Sequence, residues 1–155
     1  MVSTTSTDTK AAHLKLAVGW REWIELPALG GARVKAKVDT GARTSALHAC
    51  NIVEQEIDGE QYVSFDLHPV QDNDEVVISC QARVFEKRTV RNSGGESEER
   101  YVIITPARLG GDAFDIELTL TERDKMRFRM LLGRTAIRHR FLVNAGRSFI
   151  GGQPI

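Results

Sequence analysis

Cysteine is scarce in this chain: two residues, Cys50 and Cys80, in 155. Two are too few for a disulfide framework, so the fold is expected to rest on its own core in a reducing, cytoplasmic setting. Net charge is absent as well, with 21 basic against 21 acidic side chains. A general nucleic-acid binder carries a basic excess, and that class is set aside. No apolar run is long enough to span a bilayer. The opening residues, rich in Ser, Thr and Lys, hold no apolar stretch of signal-peptide type. Neither a nucleic acid nor a membrane is therefore expected as a partner. Two further signatures are missing: a Gly-x-x-x-x-Gly-Lys loop for phosphates, and a His-Glu-x-x-His pair for a catalytic metal.

What is present is alternation. A tail over residues 1–15 shows no apolar period and is expected to be flexible, leaving residues 16–155 as one domain. Val18 to Leu26 is dense in β-formers, and Arg33 to Val38 alternates polar and apolar as a half-buried strand does. Glu54 to Ile57 and Gln61 to Leu67 flank Asp58-Gly59, a strong hairpin signal. Glu75 to Phe85 predicts a strand with Val76-Val77-Ile78 as its apolar part. A polar stretch from Glu86 to Arg100 then predicts a long hairpin with its tip at Asn92 to Gly95. Phe114 to Leu120 and Phe128 to Leu132 are further strands, with a charged turn between them. Thr135 to His139 offers a short helix, and Phe141 to Val143 with Ser148 to Ile150 closes the domain. Short strands with Gly-rich turns and almost no helical period predict an all-β barrel or sandwich.

One strand runs straight into chemistry. Val38 ends an alternating segment and is followed by Asp39-Thr40-Gly41-Ala42. Taken bare, Asp-Thr-Gly reads as a strand ending in a turn. Far downstream, Met130-Leu131-Leu132-Gly133-Arg134 places bulky apolar residues before a glycine. Together these strings resemble the retropepsin-like aspartic proteases, in which a strand ends in Asp-Thr-Gly-Ala and a later apolar pair plus glycine packs beside the catalytic loop. The longer strings Val38 to Ala49 and Phe128 to Arg134 resemble more closely a bacterial family labelled ATP-dependent zinc proteases, which has the same core. The resemblance covers about Val18 to Gly152. It implies a closed, retropepsin-like β-barrel with one short C-terminal helix, and a flap at the hairpin of Arg88 to Tyr101.

The implied chemistry needs two carboxylates facing each other across one water. Two in contact cannot both ionise, so one acts as base and the other as acid. With a single Asp-Thr-Gly, the second is expected from a two-fold homodimer that brings Asp39 of both chains together. Gly41 permits the tight turn, and the resemblance makes Thr40 a hydrogen-bonding brace. Ala42 cannot donate a hydrogen bond to Asp39 as Ser or Thr would, which predicts a higher pH optimum than in enzymes carrying those residues.

No cofactor and no metal are expected. His48-Ala49-Cys50 could place two ligands on one face of a strand, and His68 or Cys80 could join them, but no paired ligand spacing is present. The cations Arg43, Arg88, Arg91, Arg100 and Arg134, with Ala42, form the expected substrate contacts. Arginine pairs well with carboxylates, and relatives are linked to enzymes that add glutamate tails to proteins, so an acidic peptide or protein tail is the expected substrate. The competing readings are a solvated charged hairpin with no substrate role, a non-catalytic peptide-binding module on the same fold, and a zinc-dependent hydrolase.

Overall fold

The structure is a computed structural model that describes residues 16–91, 94–122 and 127–153. The N-terminal tail, part of the hairpin tip and part of the charged turn fall outside those residues. In chain order the elements are β1 (Leu16–Val18), β2 (Arg21–Leu26), β3 (Ala32–Asp39), β4 (Ser45–Ile57), β5 (Glu60–Leu67), β6 (Ile78–Arg83), β7 (Glu86–Arg91), β8 (Ser97–Leu109), β9 (Asp112–Thr121), β10 (Met130–Gly133), α1 (Arg134–Ile137) and β11 (Phe141–Val143).

Six strands close a ring in the order β10-β3-β2-β8-β9-β4, with β4 pairing back onto β10. The expected all-β barrel with one short helix is therefore what forms. The β5–β6 hairpin extends the sheet from β4, and β7 lies on β8. Closure follows from side-chain alternation. Ala32, Val34, Ala36 and Val38 of β3 face inward, while Arg33 and Lys37 are exposed. Ile24, Leu26, Leu47, Leu118, Leu120, Met130 and Leu132 fill the interior. Each such Leu or Ile contributes roughly 2 kcal/mol by leaving water. The Asp58-Gly59 turn has φ of 52° and 81°, the pair of positive values a two-residue hairpin of this twist requires.

Three segments depart from the sequence reading. The first strand is split at Gly19-Trp20, because the Trp20 N–H bonds at 2.8 Å to the carbonyl of Arg147. Val76 and Val77 precede β6 and are exposed: the Asn73 side chain captures the Glu75 N–H and turns the chain there. Ser148 to Ile150 is not a strand. It is tied down by the Phe149 N–H to the Arg21 carbonyl and by one buried carboxylate.

That carboxylate is Glu22, at an inward position of β2 and fully buried. It accepts the N–H groups of Gly19 at 2.6 Å, Ile150 at 2.9 Å and Gly151 at 2.9 Å, joining the two ends of the domain. A glutamine there keeps one acceptor but turns an amide nitrogen toward a backbone donor. Glu22→Gln is expected to destabilise the fold by about 2 kcal/mol, read from urea midpoints.

Candidate active site

Asp39 is the last residue of β3. Its strand is held in parallel register by β10, which pairs Leu132 with Val38 and Gly133 with Asp39. The other side of β10 pairs antiparallel with β4, Leu131 opposite Ala46 and Met130 opposite Leu47. β10 thus lies between the strand that enters the Asp39 loop and the strand that leaves it. The loop has no regular structure of its own, so its polar backbone groups are satisfied by this insertion. Arg134 N–H bonds to the Ala42 carbonyl at 2.8 Å and Thr135 N–H to the Arg43 carbonyl at 3.1 Å. The buried Ser45 hydroxyl accepts the Gly133 N–H at 3.0 Å.

Within the loop the Gly41 N–H donates to Asp39 Oδ1 at 3.1 Å. The Ala42 N–H turns back to the Asp39 carbonyl at 3.2 Å. Asp39 is half-buried, Thr40 and Gly41 are exposed and Ala42 is half-buried. Among the described residues no second carboxylate is bonded to Asp39. Asp58 sits in a distant hairpin turn, and Asp66 accepts from Asn51 and Ser79. The Thr40 hydroxyl makes no bond within the described chain, so the bracing expected of it is not made there.

The arginines divide. Arg88, on β7, donates to the Thr44 hydroxyl at 3.2 Å and pairs with Glu86 and Glu117. This contact places the β7–β8 hairpin beside the Asp39 loop. The same two carboxylates raise the Arg88 pKa above its ordinary value, the Glu86 hydrogen bond first. Arg100 stands opposite Arg88 in the ladder and is buried against Glu98, which also accepts from Thr121. These two cations serve the hairpin. Arg134 is exposed and donates to the Gly41 carbonyl at 3.2 Å, bracing the loop. Arg43 and Arg91 are exposed and have no ion pair among the described residues. At the hairpin base, Glu54 meets Lys87 at 3.0 Å and the Tyr101 hydroxyl at 2.8 Å, and the Lys87 hydrogen bond holds its carboxyl below the usual range.

Ser45, inside the Val38 to Ala49 string, takes its role only from the fold, as acceptor of the Gly133 N–H. A hydroxyl opening an otherwise apolar run was the available signal. Glu22 likewise shows in the sequence only as a charge within a strand, whereas the fold buries it.

An aspartate at a strand end, in a loop stapled by an inserted apolar strand and flanked by a hairpin, defines the retropepsin-like class of β-barrel. Residues 17–154 match the family model of RimB-like proteins, described as "Retropepsin-like aspartic endopeptidase RimB", and the chain belongs to that family. The description names an aspartic endopeptidase and neither zinc nor ATP. Among curated proteins, the chain is 48% identical over 139 residues to a "Probable alpha-L-glutamate ligase" of Shewanella pealeana, covering 90% of this chain and 30% of that protein. A protein of the same name from Desulfotalea psychrophila is 48% identical over 130 residues, 84% of this chain and 28% of its own length. The chain thus spans under a third of these relatives. A crystal structure of a Legionella pneumophila protein of unknown function superposes with a TM-score of 0.74 at 27% identity, covering 88% of this chain and 98% of that one. No helix among the described residues is long and apolar enough to cross a membrane.

Proposed function

We propose that this domain hydrolyses peptide bonds in acidic, glutamate-rich tails, using an aspartyl dyad made by Asp39 of two chains. The observation that carries this is the Asp39 loop. Its carboxylate is exposed enough to meet water, its backbone is fastened by β10, and no second carboxylate among the described residues is bonded to it. A two-fold partner supplies the missing group, and the unpaired Thr40 hydroxyl then has a second loop to bond. In the dyad one carboxylate takes a proton from the shared water as it attacks the peptide carbonyl. The other donates a proton to the carbonyl oxygen, and the protonation states reverse as the amine leaves.

The acidic preference rests on Arg43 and Arg91, exposed and without an ion pair among the described residues, and on relatives named for glutamate ligation. A hydrolase of glutamate-rich tails would reverse such a reaction. The measurement is cleavage of glutamate-rich against charge-neutral peptides. Arg43→Ala with Arg91→Ala is expected to lower the preference for the acidic peptide about tenfold, roughly the worth of a charged hydrogen bond. An unchanged ratio would reject the acidic substrate while leaving the protease reading intact.

A second reading is favoured by the ligase names alone: a non-catalytic module that holds glutamate tails. It is distinguished by tight binding of an acidic peptide without cleavage over a broad pH range.

A further inference from the structure

We infer that His48, Cys50 and His68 form a binding site for one divalent transition-metal ion of the zinc class, separate from the Asp39 loop. The three side chains offer one ligand atom each, all within 4.8 Å of one another. Cys50 Sγ lies 3.5 Å from His48 Nε2 and 3.7 Å from His68 Nδ1. Zinc bonds of about 2.3 Å to sulfur and 2.0 Å to nitrogen, at tetrahedral angles, put sulfur and nitrogen about 3.5 Å apart. The first sulfur–nitrogen separation, 3.5 Å, matches that edge, and the second, 3.7 Å, lies slightly beyond it.

The sheet builds this spacing. His48 and Cys50 are two apart on β4 and share a face. The β4–β5 ladder pairs Ala49 with Leu67 and Cys50 with Asp66, so His68 stands across from His48 and diagonal to Cys50. The two imidazoles stack with ring centroids 6.1 Å apart and planes 29° from parallel. The register shifts just beyond Cys50, where Asn51 takes φ of 53°, so the ladder is interrupted beside the cluster and resumes at Val53. Cys80 is excluded by the same alternation. It pairs with Phe65, one residue off the Asp66 face, and its thiol turns to the Ile78 carbonyl. Burial, with the charge of Asp66 second, pushes that thiol up to about 11, where it stays protonated and ligates poorly.

Two imidazoles and a thiol converging on one point form a donor set that a divalent cation of this class accepts, nitrogen and sulfur both being its preferred ligand atoms. A metal takes a lone pair from all three. His48 is buried, whereas Cys50 and His68 are half-exposed, which leaves a path for the ion and a fourth position for water.

The site lies away from the proposed chemistry. The His48 N–H bonds to the Arg129 carbonyl, four residues before Gly133, which pairs with Asp39. Four strand residues separate the two by roughly 13 Å. An ion there clasps β4 to β5 and does not polarise a carbonyl held at Asp39.

The test is titration of the purified full chain, stripped with chelator and kept reduced, with cobalt(II) as the spectroscopic probe and zinc(II) as competitor. The expected result is one cobalt per chain, with a near-ultraviolet thiolate-to-metal band and intense visible bands of tetrahedral geometry, both abolished by one equivalent of zinc. Cys80→Ser retains the spectrum. Cys50→Ser loses the thiolate band, and His68→Gln weakens cobalt binding at least tenfold. Absence of saturable binding to the wild type at micromolar metal would overturn the proposal and leave a hydrogen-bonded thiol. So would a thiolate band that survives Cys50→Ser or vanishes in Cys80→Ser. The wild-type titration stands without any variant, and no readout depends on peptide hydrolysis.

Discussion

Asp39→Asn is expected to reduce hydrolysis of a glutamate-rich peptide by roughly a thousandfold or more, since acid–base transfer by the proposed dyad would account for about that much rate. The substitution is nearly isosteric. The Gly41 N–H that donates to Asp39 Oδ1 retains an acceptor in the amide oxygen, so the loop keeps its fold. What is lost is the ability to take a proton from water. Mixing extends the test. If two chains build one site, excess Asp39→Asn chains sequester wild-type chains in dimers with one carboxylate, and activity falls faster than dilution explains. A separate wild-type site per chain predicts no such effect. Hydrolysis is expected to persist with chelator present below the unfolding range, because carboxylate chemistry uses no metal. Loss of activity in chelator with folding intact would favour a metal-dependent hydrolase. Full activity in Asp39→Asn would remove the aspartyl mechanism altogether.

Gly133→Ala is expected to destabilise the protein by about 3 kcal/mol, as overpacking against backbone does, and to lower the thermal midpoint by roughly 10 °C. The reason is space. Gly133 has φ of −82°, which any residue adopts. A Cβ there, however, would stand 2.6 Å from the Thr44 carbonyl carbon, 2.8 Å from its oxygen and 2.9 Å from the Ser45 nitrogen. All three are main-chain atoms of the loop that β10 supports, so relief means moving the loop or withdrawing β10. Either breaks the Ser45 hydroxyl bond to the Gly133 N–H and shifts Asp39, its partner in the ladder. Calorimetry on the variant measures the loss, and residual hydrolysis at a temperature where it is folded measures the displacement. A variant within about 1 kcal/mol of wild type would show that the loop can give way freely.

Much of the barrel was legible because alternation is a local property. β3 and β9 could be read from residues two apart, and the β4–β5 turn from Asp58-Gly59 alone. Asp39 was legible for another reason: the strings around it and around Gly133 are long enough to be specific. Val76-Val77 misled because β-branched residues signal a strand wherever they stand, whereas the Asn73 turn decides when the strand begins. The arginines of the hairpin were visible as charges, but not as partners. Arg88 is occupied by Glu86 and Glu117, the latter 29 residues away, and that pairing follows from the packing of β7 and β9 beside β8.

By itself the sequence determined the strand pattern, the aspartate that ends β3 and the two-residue step that puts His48 and Cys50 on one face. Only the tertiary structure decided which distant groups those residues meet. Register selects His68 over Cys80 at the thiol, β10 insertion fastens the Asp39 loop, and the returning C-terminal segment brings the Ile150 and Gly151 N–H groups to Glu22. Side-chain periodicity is written within a few residues. Register and closure are settled by the whole barrel, because shifting any strand by one residue would exchange its buried face for its exposed one.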